Sequence, residues 1–224
     1  GSGKSTLLAA MIRSILENPE SNKKIITFEA PIEYVYDKIE KISSSIFQTQ
    51  IYKNLASFTA AIRNALRRAP NIILIGEARD AETIKEAVTA STTGHLLYTT
   101  VHTNGFAETI RRMVTQFPAG ERNGMALDII SSLNLVVSQR LLKKVGGGRI
   151  AIREYVVMTP EIKDILSSCD LDRLSMTCRR VLKKFGRSFY QDALSKYEQG
   201  LISKEDLELI KKQDQASDKD LSIK

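Results

Sequence analysis

Three short, mostly apolar runs constrain this chain more than any other feature: Ile25-Ile26-Thr27-Phe28, Ile72-Ile73-Leu74-Ile75 and Leu96-Leu97-Tyr98-Thr99-Thr100-Val101. Each is too short for a stable helix and too continuous for a strand with one wet face. Each therefore reads as a strand buried on both sides. Segments of helical period lie between them. Leu55, Phe58, Ile62 and Leu66 fall on one helical face, and Pro70 ends that helix. Asp80 is a good N-cap for a helix over Ala81 to Thr93, with Gly94 as its stop. Buried strands alternating with helices predict an α/β fold, a mainly parallel sheet flanked by helices.

The rest of the chain fits around that unit. A helix through Leu7 to Ile12 is stopped by Asn18-Pro19, and residues 41–54 read as irregular or short paired strands. Two further helices, roughly 106–116 and 121–133, follow Asn104-Gly105. The runs Leu135-Val136-Val137 and Ile150-Ala151-Ile152 flank Gly146-Gly147-Gly148 and suggest a hairpin. From Thr159-Pro160 strand signals vanish. Ser188 with Gln191, and Ser203 with Asp206, have capping-box spacing, and Gly200 separates the last two helices. The expected domains are a core over 1–159, a small helical appendage over 160–212 and a frayed polar tail over 213–224.

With 224 residues, 42% hydrophobic and 26% charged, the chain can bury a core without staples, which excludes a disordered polymer or a disulfide scaffold. Cys169 and Cys178 are too few for a disulfide framework and read as small core residues in a reducing compartment. No apolar run approaches the roughly 20 residues of a membrane span, and no leader is evident, so the expected location is cytoplasmic. The net charge of +7 permits contact with nucleic acid. Its basic residues are scattered, however, and not interleaved with aromatics, so solvated helix faces are the better reading and a nucleic-acid partner is not expected.

Gly1-Ser2-Gly3-Lys4-Ser5-Thr6 matches the second half of G-x-x-x-x-G-K-[ST]. In such a loop glycines let backbone N–H groups turn inward, and those groups with the helix N-terminus cradle phosphate oxygens. Lys4 would reach the β- and γ-phosphates and Ser5 would offer its hydroxyl to Mg²⁺. A flexible Gly/Ser linker can begin the same way, but here an apolar helix starts at once.

A nucleotide site also needs carboxylates, to hold the ion's water shell and to orient an attacking water. Glu29 and Glu33 flank the end of the first buried run and Glu77 ends the second. A parallel sheet aims such strand ends at one crevice. His95 and His102 bracket the third run; they are either satisfied structural histidines or sensors of the γ-phosphate or of a neighbouring subunit. Their spacing matches no familiar zinc pattern.

These motifs, in this order, resemble the PilT/GspE secretion ATPases. Ile25 through Tyr34 is similar to that family's acidic box. Ile73-Leu74-Ile75-Gly76-Glu77-Ala78-Arg79-Asp80 is similar to its atypical Walker B motif. Thr93-Gly94-His95-Leu96 through Thr100-Val101-His102-Thr103 is similar to its His box. Leu142 through Ile152 and Leu201-Ile202-Ser203 are also PilT-like, and the resemblance covers residues 1 to about 212. Arg153-Glu154-Tyr155 after the glycine hairpin points within the family to the ATPases of type IVB secretion systems.

The resemblance implies a RecA-like P-loop core in a homohexameric ring that hydrolyses ATP with Mg²⁺. Gly1, Ser2, Gly3, Lys4, Ser5 and Thr6 would bind the phosphates. Glu29 and Glu33 would handle the ion and the lytic water, Glu77 would be the Walker B glutamate beside Ser5 at the metal, and His102 would face phosphate. Arg79 and His95 would complete the nucleotide site. Ala30 departs from the pattern, because the box often has Asp there. The resemblance also implies a first strand and a PAS-like domain ahead of Gly1, the latter supplying arginines to a neighbour's site, so residues 1–224 alone are expected to be catalytically poor. The expected partners are membrane secretion-complex proteins met at the cytoplasmic face of the inner membrane. A PilT-like pilus retraction motor, a DNA translocase and a nucleotide-gated scaffold with little turnover are the rival readings.

Overall fold

The computed structural model describes residues 1–219, and their packing forms two compact units. The first unit runs from Lys4 to His102; the second comprises Thr103 onward together with Gly1–Gly3.

In the first unit, helix α1 (Lys4–Glu17) leads to strand β1 (Lys24–Glu29), followed by β2 (Ser45–Gln50), helix α2 (Phe58–Leu66), β3 (Ile72–Ile75), α3 (Ala81–Thr92) and β4 (Leu96–Thr99). The four strands form one parallel sheet in the order β2-β1-β3-β4. Both faces are covered, which explains the lack of a polar break in the central strands. Ile25, Ile72 and Leu74 pack on one face with Ala9, Ile12 and Leu16 of α1. Ile26, Phe28, Ile73 and Ile75 pack on the other with Phe58, Ala61 and Ile62 of α2 and Ala87 and Ala90 of α3. Strand residues alternate between these layers with period two. Each fully buried Ile or Phe contributes roughly 1.5–3 kcal/mol of transfer free energy, so β1, which ends in Glu29, and β3, which Glu77 follows, are anchored by burial on both faces.

The local signals behave as their chemistry requires. Asp80 caps α3 by accepting from the Thr83 N–H at 2.8 Å, and Ser57 caps α2 through Ala60 N–H. Two expectations are adjusted. Residues 45–50 are a full strand paired in register with β1, Lys24 opposite Ser45 through Glu29 opposite Gln50. The strand expected to reach Val101 stops at Thr99, because beyond it the chain turns to hydrogen-bond the segment following β3.

The second unit holds α4 (Phe106–Thr115), α5 (Arg122–Ser132), the antiparallel hairpin β5 (Leu135–Lys143) and β6 (Arg149–Val157), and helices α6 (Pro160–Ser167), α7 (Leu174–Phe185), α8 (Phe189–Glu198) and α9 (Lys204–Lys219). The hairpin turns through Gly146-Gly147-Gly148 and its strands extend well beyond the runs that suggested it. Ile152, Phe189, Ala193, Ile202, Leu207 and Ile210 form its core with Leu142 and Ile150. The capping box at Ser188 and Gln191 is complete in both arms. The switch to helix alone at Thr159 thus falls inside this unit. Helix α9 continues past residue 212, where a tail was expected. Gln213 accepts from Arg140 and Asp214 from Ser188, both at 2.8 Å, and these contacts anchor the extra turns. Residues 220–224 of that expected tail lie outside the described residues. Among the described residues no helix is long and apolar enough to cross a membrane.

Candidate functional site

The C-terminal ends of β1, β3 and β4 and the start of α1 hold most of the candidate residues of the first unit. Helix α1 begins at Lys4 and has no acidic residue in its first turn, so its own sequence leaves the positive end of the helix dipole unneutralised. Lys4 and Ser5 are half-buried there. Thr6 Oγ1 lies 2.8 Å from the Tyr34 hydroxyl, which ties the helix to the loop after β1.

Gly1–Gly3, upstream, belong to the second unit. Gln139 Nε2 donates to the Ser2 carbonyl at 2.8 Å, while Gln139 Oε1 accepts from Arg153 Nε at 2.8 Å. Gly3 sits at φ +82°, and a Cβ there would meet Gln139 Nε2 at 2.8 Å. The left-handed backbone conformation favours glycine, and the Gln139 amide would have to shift to admit a Cβ.

Glu29 closes β1. Its Oε1 accepts from Thr27 Oγ1 at 2.7 Å and lies 3.4 Å from Gln48 Nε2. Thr27 and Glu29 are two residues apart on a strand and so share the sheet face that α1 covers. Gly76 passes tightly across the end of β1, so close that a Cβ on it would be 3.4 Å from Glu29 Cα. Tyr36, buried in the same layer, has its hydroxyl pushed up to about 12 by burial first and by the Glu29 charge second. Glu33 is exposed on the loop between Glu29 and Tyr36.

Glu77 follows β3, with its side chain only 16% exposed. One carboxylate oxygen pairs with Arg79 Nε, and the other lies 3.5 Å from His102 Nε2. Arg79 and His102 are 71% and 61% exposed, so these contacts orient Glu77 more than they stabilise the fold. Two hydrogen bonds bring the segments together: Thr100 Oγ1 donates to the Gly76 carbonyl at 2.6 Å, and Ala78 N–H donates to the Thr100 carbonyl at 3.1 Å.

The structure thus brings Glu29, Glu77, Arg79 and His102 to adjoining strand ends and leaves His95 out. His95 precedes β4 and His102 follows it, and a parallel strand puts its two ends on opposite edges of the sheet. His95 instead has Nδ1 3.5 Å from Thr93 Oγ1. Sequence reasoning missed Thr27, Gln48 and Tyr34. The period-two spacing of Thr27 and Glu29 was a signal for the first; the pairing of Gln48 depends on register and left none.

Among the described residues no group of three or more His, Cys, Asp and Glu side chains is arranged to hold a metal ion. Mg²⁺ in nucleotide sites takes only one or two protein ligands and fills its octahedron with phosphate and water. A Ser5 hydroxyl and a Glu77 carboxylate are hard oxygen donors of that kind.

A parallel four-stranded sheet flanked by helices, with acidic residues after adjacent strands, defines an α/β protein of the P-loop ATPase kind in fold. The family model of the type II/IV secretion system proteins matches residues 1–209, and the chain belongs to that family. Its relatives include the type IV pilus retractation ATPase PilT of Pseudomonas aeruginosa, 43% identical over 166 residues, which are 74% of this chain and 47% of that protein. The crystal structure of the Legionella pneumophila ATPase DotB matches at 47% identity with a TM-score of 0.89, over 94% of this chain and 57% of that one. The pilus retraction motor PilT with bound ADP matches at 35% identity and a TM-score of 0.80, over 94% of this chain and 58% of that one. The chain therefore spans about half the length of the relatives it matches.

Proposed function

We propose that this chain is the catalytic core of an ATP hydrolase whose turnover drives domain motion in a type IV secretion or pilus machine. What supports the reading most is the pairing of an anion-ready α1 start with two carboxylates, Glu29 and Glu77, on neighbouring strand ends of one sheet. Lys4 and the N–H groups of the first turn of α1 bind the triphosphate and offset charge that develops on the γ-phosphoryl group. Ser5 and Glu77 would hold a Mg²⁺ ion, which would supply positive charge against the phosphates. Glu29 and the exposed Glu33 handle the ion's water shell and the attacking water. His102 turns toward the departing phosphate. Arg79 is a nucleotide-side cation paired with Glu77.

The assembly we infer is a homohexamer, working in the cytoplasm and recruited to the inner membrane by secretion-complex proteins. Differential affinity of ATP, ADP and empty sites for alternative packings is the source of work. The likeness to DotB favours secretion of the type IVB kind, while the likeness to PilT supports pilus retraction as the second reading. The deciding experiment compares ATP turnover of the intact protein with Lys4→Ala, Glu33→Gln and Glu77→Gln. Unchanged turnover in Lys4→Ala overturns the site. Loss of turnover in all three variants with transport intact overturns the motor. Salt-dependent binding to bare DNA would move the reading toward a translocase.

A further inference from the structure

The last registered pair between β3 and β4 is Ile75 with Thr99, so the regular ladder stops one residue before Gly76 and Thr100. Beyond it Thr100, itself half-buried, joins the two chains by other means. Its Oγ1 donates to the Gly76 carbonyl at 2.6 Å, and its own carbonyl accepts from Ala78 N–H at 3.1 Å. Gly76 N–H donates in turn to the Phe28 carbonyl of β1 at 2.8 Å. Glu77 is the single residue between the two groups bonded to Thr100. His102, whose Nε2 lies 3.5 Å from Glu77 Oε2, is two residues further along the chain from Thr100. One threonine thus anchors the backbone on both sides of Glu77 and begins the segment that carries His102.

We infer that Thr100 is a positioning residue for Glu77 and His102: its hydroxyl bond to Gly76 extends the join between β3 and β4 past the end of the ladder and fixes where the two side chains start. This rests on the reading that Glu77 serves the metal-ion side of the site and Lys4 the phosphates. The physical argument is one of pre-organisation. The side-chain partners of Glu77, Arg79 and His102, are 71% and 61% exposed, so their pairing with it is weak and screened. The backbone on either side of Glu77 must therefore supply the precision, and a misplacement of about 1 Å at a reacting centre can cost about 100-fold in rate. Removing the hydroxyl leaves the Gly76 carbonyl without its Thr100 partner and leaves the Ala78 bond as the remaining tie from Thr100. Thr100 acts through the Gly76 backbone, so its role is to place Glu77 and not to take part in the chemistry.

The test reads the intact protein in two ways. One is steady-state ATP hydrolysis resolved into kcat and KM. The other is binding of a fluorescent ATP analogue, in EDTA and across a Mg²⁺ titration. Thr100→Val and Thr100→Ala remove the hydroxyl, Thr100→Ser keeps it, and Lys4→Ala is the control for the site itself. Both hydroxyl-free variants are expected to lower kcat about tenfold with KM within about twofold. They are also expected to raise the Mg²⁺ concentration at half-maximal binding about threefold, while affinity in EDTA matches the parent. Thr100→Ser is expected to recover most of kcat and the parent Mg²⁺ midpoint. A merely structural role would lower folded protein, or weaken binding alike with and without Mg²⁺, and leave that midpoint in place; this result overturns the inference. So does a Thr100→Ser variant as impaired as Thr100→Val. If Lys4→Ala loses binding and turnover while Thr100→Val and Thr100→Ala match the parent in both readouts, the positioning role is wrong and the site stands. If Lys4→Ala binds and hydrolyses ATP like the parent, the underlying site reading has failed instead.

Discussion

His102 Nε2 stands 3.5 Å from Oε2 of Glu77, joining the residue after β4 to the residue after β3. The other Glu77 oxygen is taken by Arg79, so this carboxylate has a partner on each side. Glu77→Gln keeps the shape and discards the charge. It is expected to lower ATP turnover about 100-fold while nucleotide affinity stays within about threefold, as read by kcat and by fluorescent-nucleotide titration. His102→Ala should cost about tenfold in kcat. Equal turnover in Glu77→Gln and parent would remove Glu77 from the chemistry.

Gly3 offers a test of the loop that opens the chain. At φ +82° a Cβ is strained by about 1–2 kcal/mol, and here it would also meet Gln139 Nε2 at 2.8 Å. Gly3→Ala is expected to weaken ADP and ATP binding by about tenfold, since about 1.4 kcal/mol is a factor of ten. Isothermal titration measures it. Native affinity would mean that the loop tolerates a different backbone.

Glu154 gives a pH prediction in the second unit. It is 6% exposed and accepts from Phe106 N–H at 2.6 Å, at the start of α4. Burial raises its pKa, the Phe106 N–H opposes that shift, and nearby Asp214 adds to it. A carboxyl whose folded pKa lies above its unfolded one binds more protons when folded, between the two values. Stability from this residue is therefore greatest in acid and falls as pH rises through that window. Glu154→Gln keeps an acceptor for Phe106 N–H and removes the titration. Its melting temperature relative to the parent is expected to rise from pH 4 to pH 7. Glu154→Ala leaves that N–H unpaired and should cost about 1–3 kcal/mol in chemical denaturation. A parent-minus-Gln difference that is flat with pH would contradict the buried-carboxyl argument.

The two cysteines should separate by reactivity. Burial pushes the Cys178 thiol up to about 12, whereas Cys169 is half-exposed, with Sγ 3.1 Å from the Leu166 carbonyl. At pH 8 the Cys178 thiolate is on the order of one part in ten thousand, and its access is closed as well. Iodoacetamide followed by mass spectrometry is expected to mark Cys169 alone in the native protein and both residues after unfolding. Labelling of Cys178 at the same rate as Cys169 would show that α7 opens.

What the sequence by itself determined is the set of local decisions. The apolar runs at Ile25–Phe28 and Ile72–Ile75 became central strands because each lacks a wet face, and Asp80, Ser188 and Pro160 mark helix starts because a cap needs only the next three residues. The placement of Glu29 and Glu77 at strand ends was legible for the same reason. Only the tertiary structure decided which groups meet. The β2 register put Gln48 beside Thr27, the turn after β4 put His102 beside Glu77, and the direction of β4 carried His95 to the far edge. It also extended α9, through contacts from Arg140 and Ser188 that lie far back in the chain. Capping and alternation are short-range and repeat within a few residues, so they can be read in a line. Register and strand direction are settled by whichever pairing buries both faces of the sheet at once, and that choice involves residues tens of positions apart.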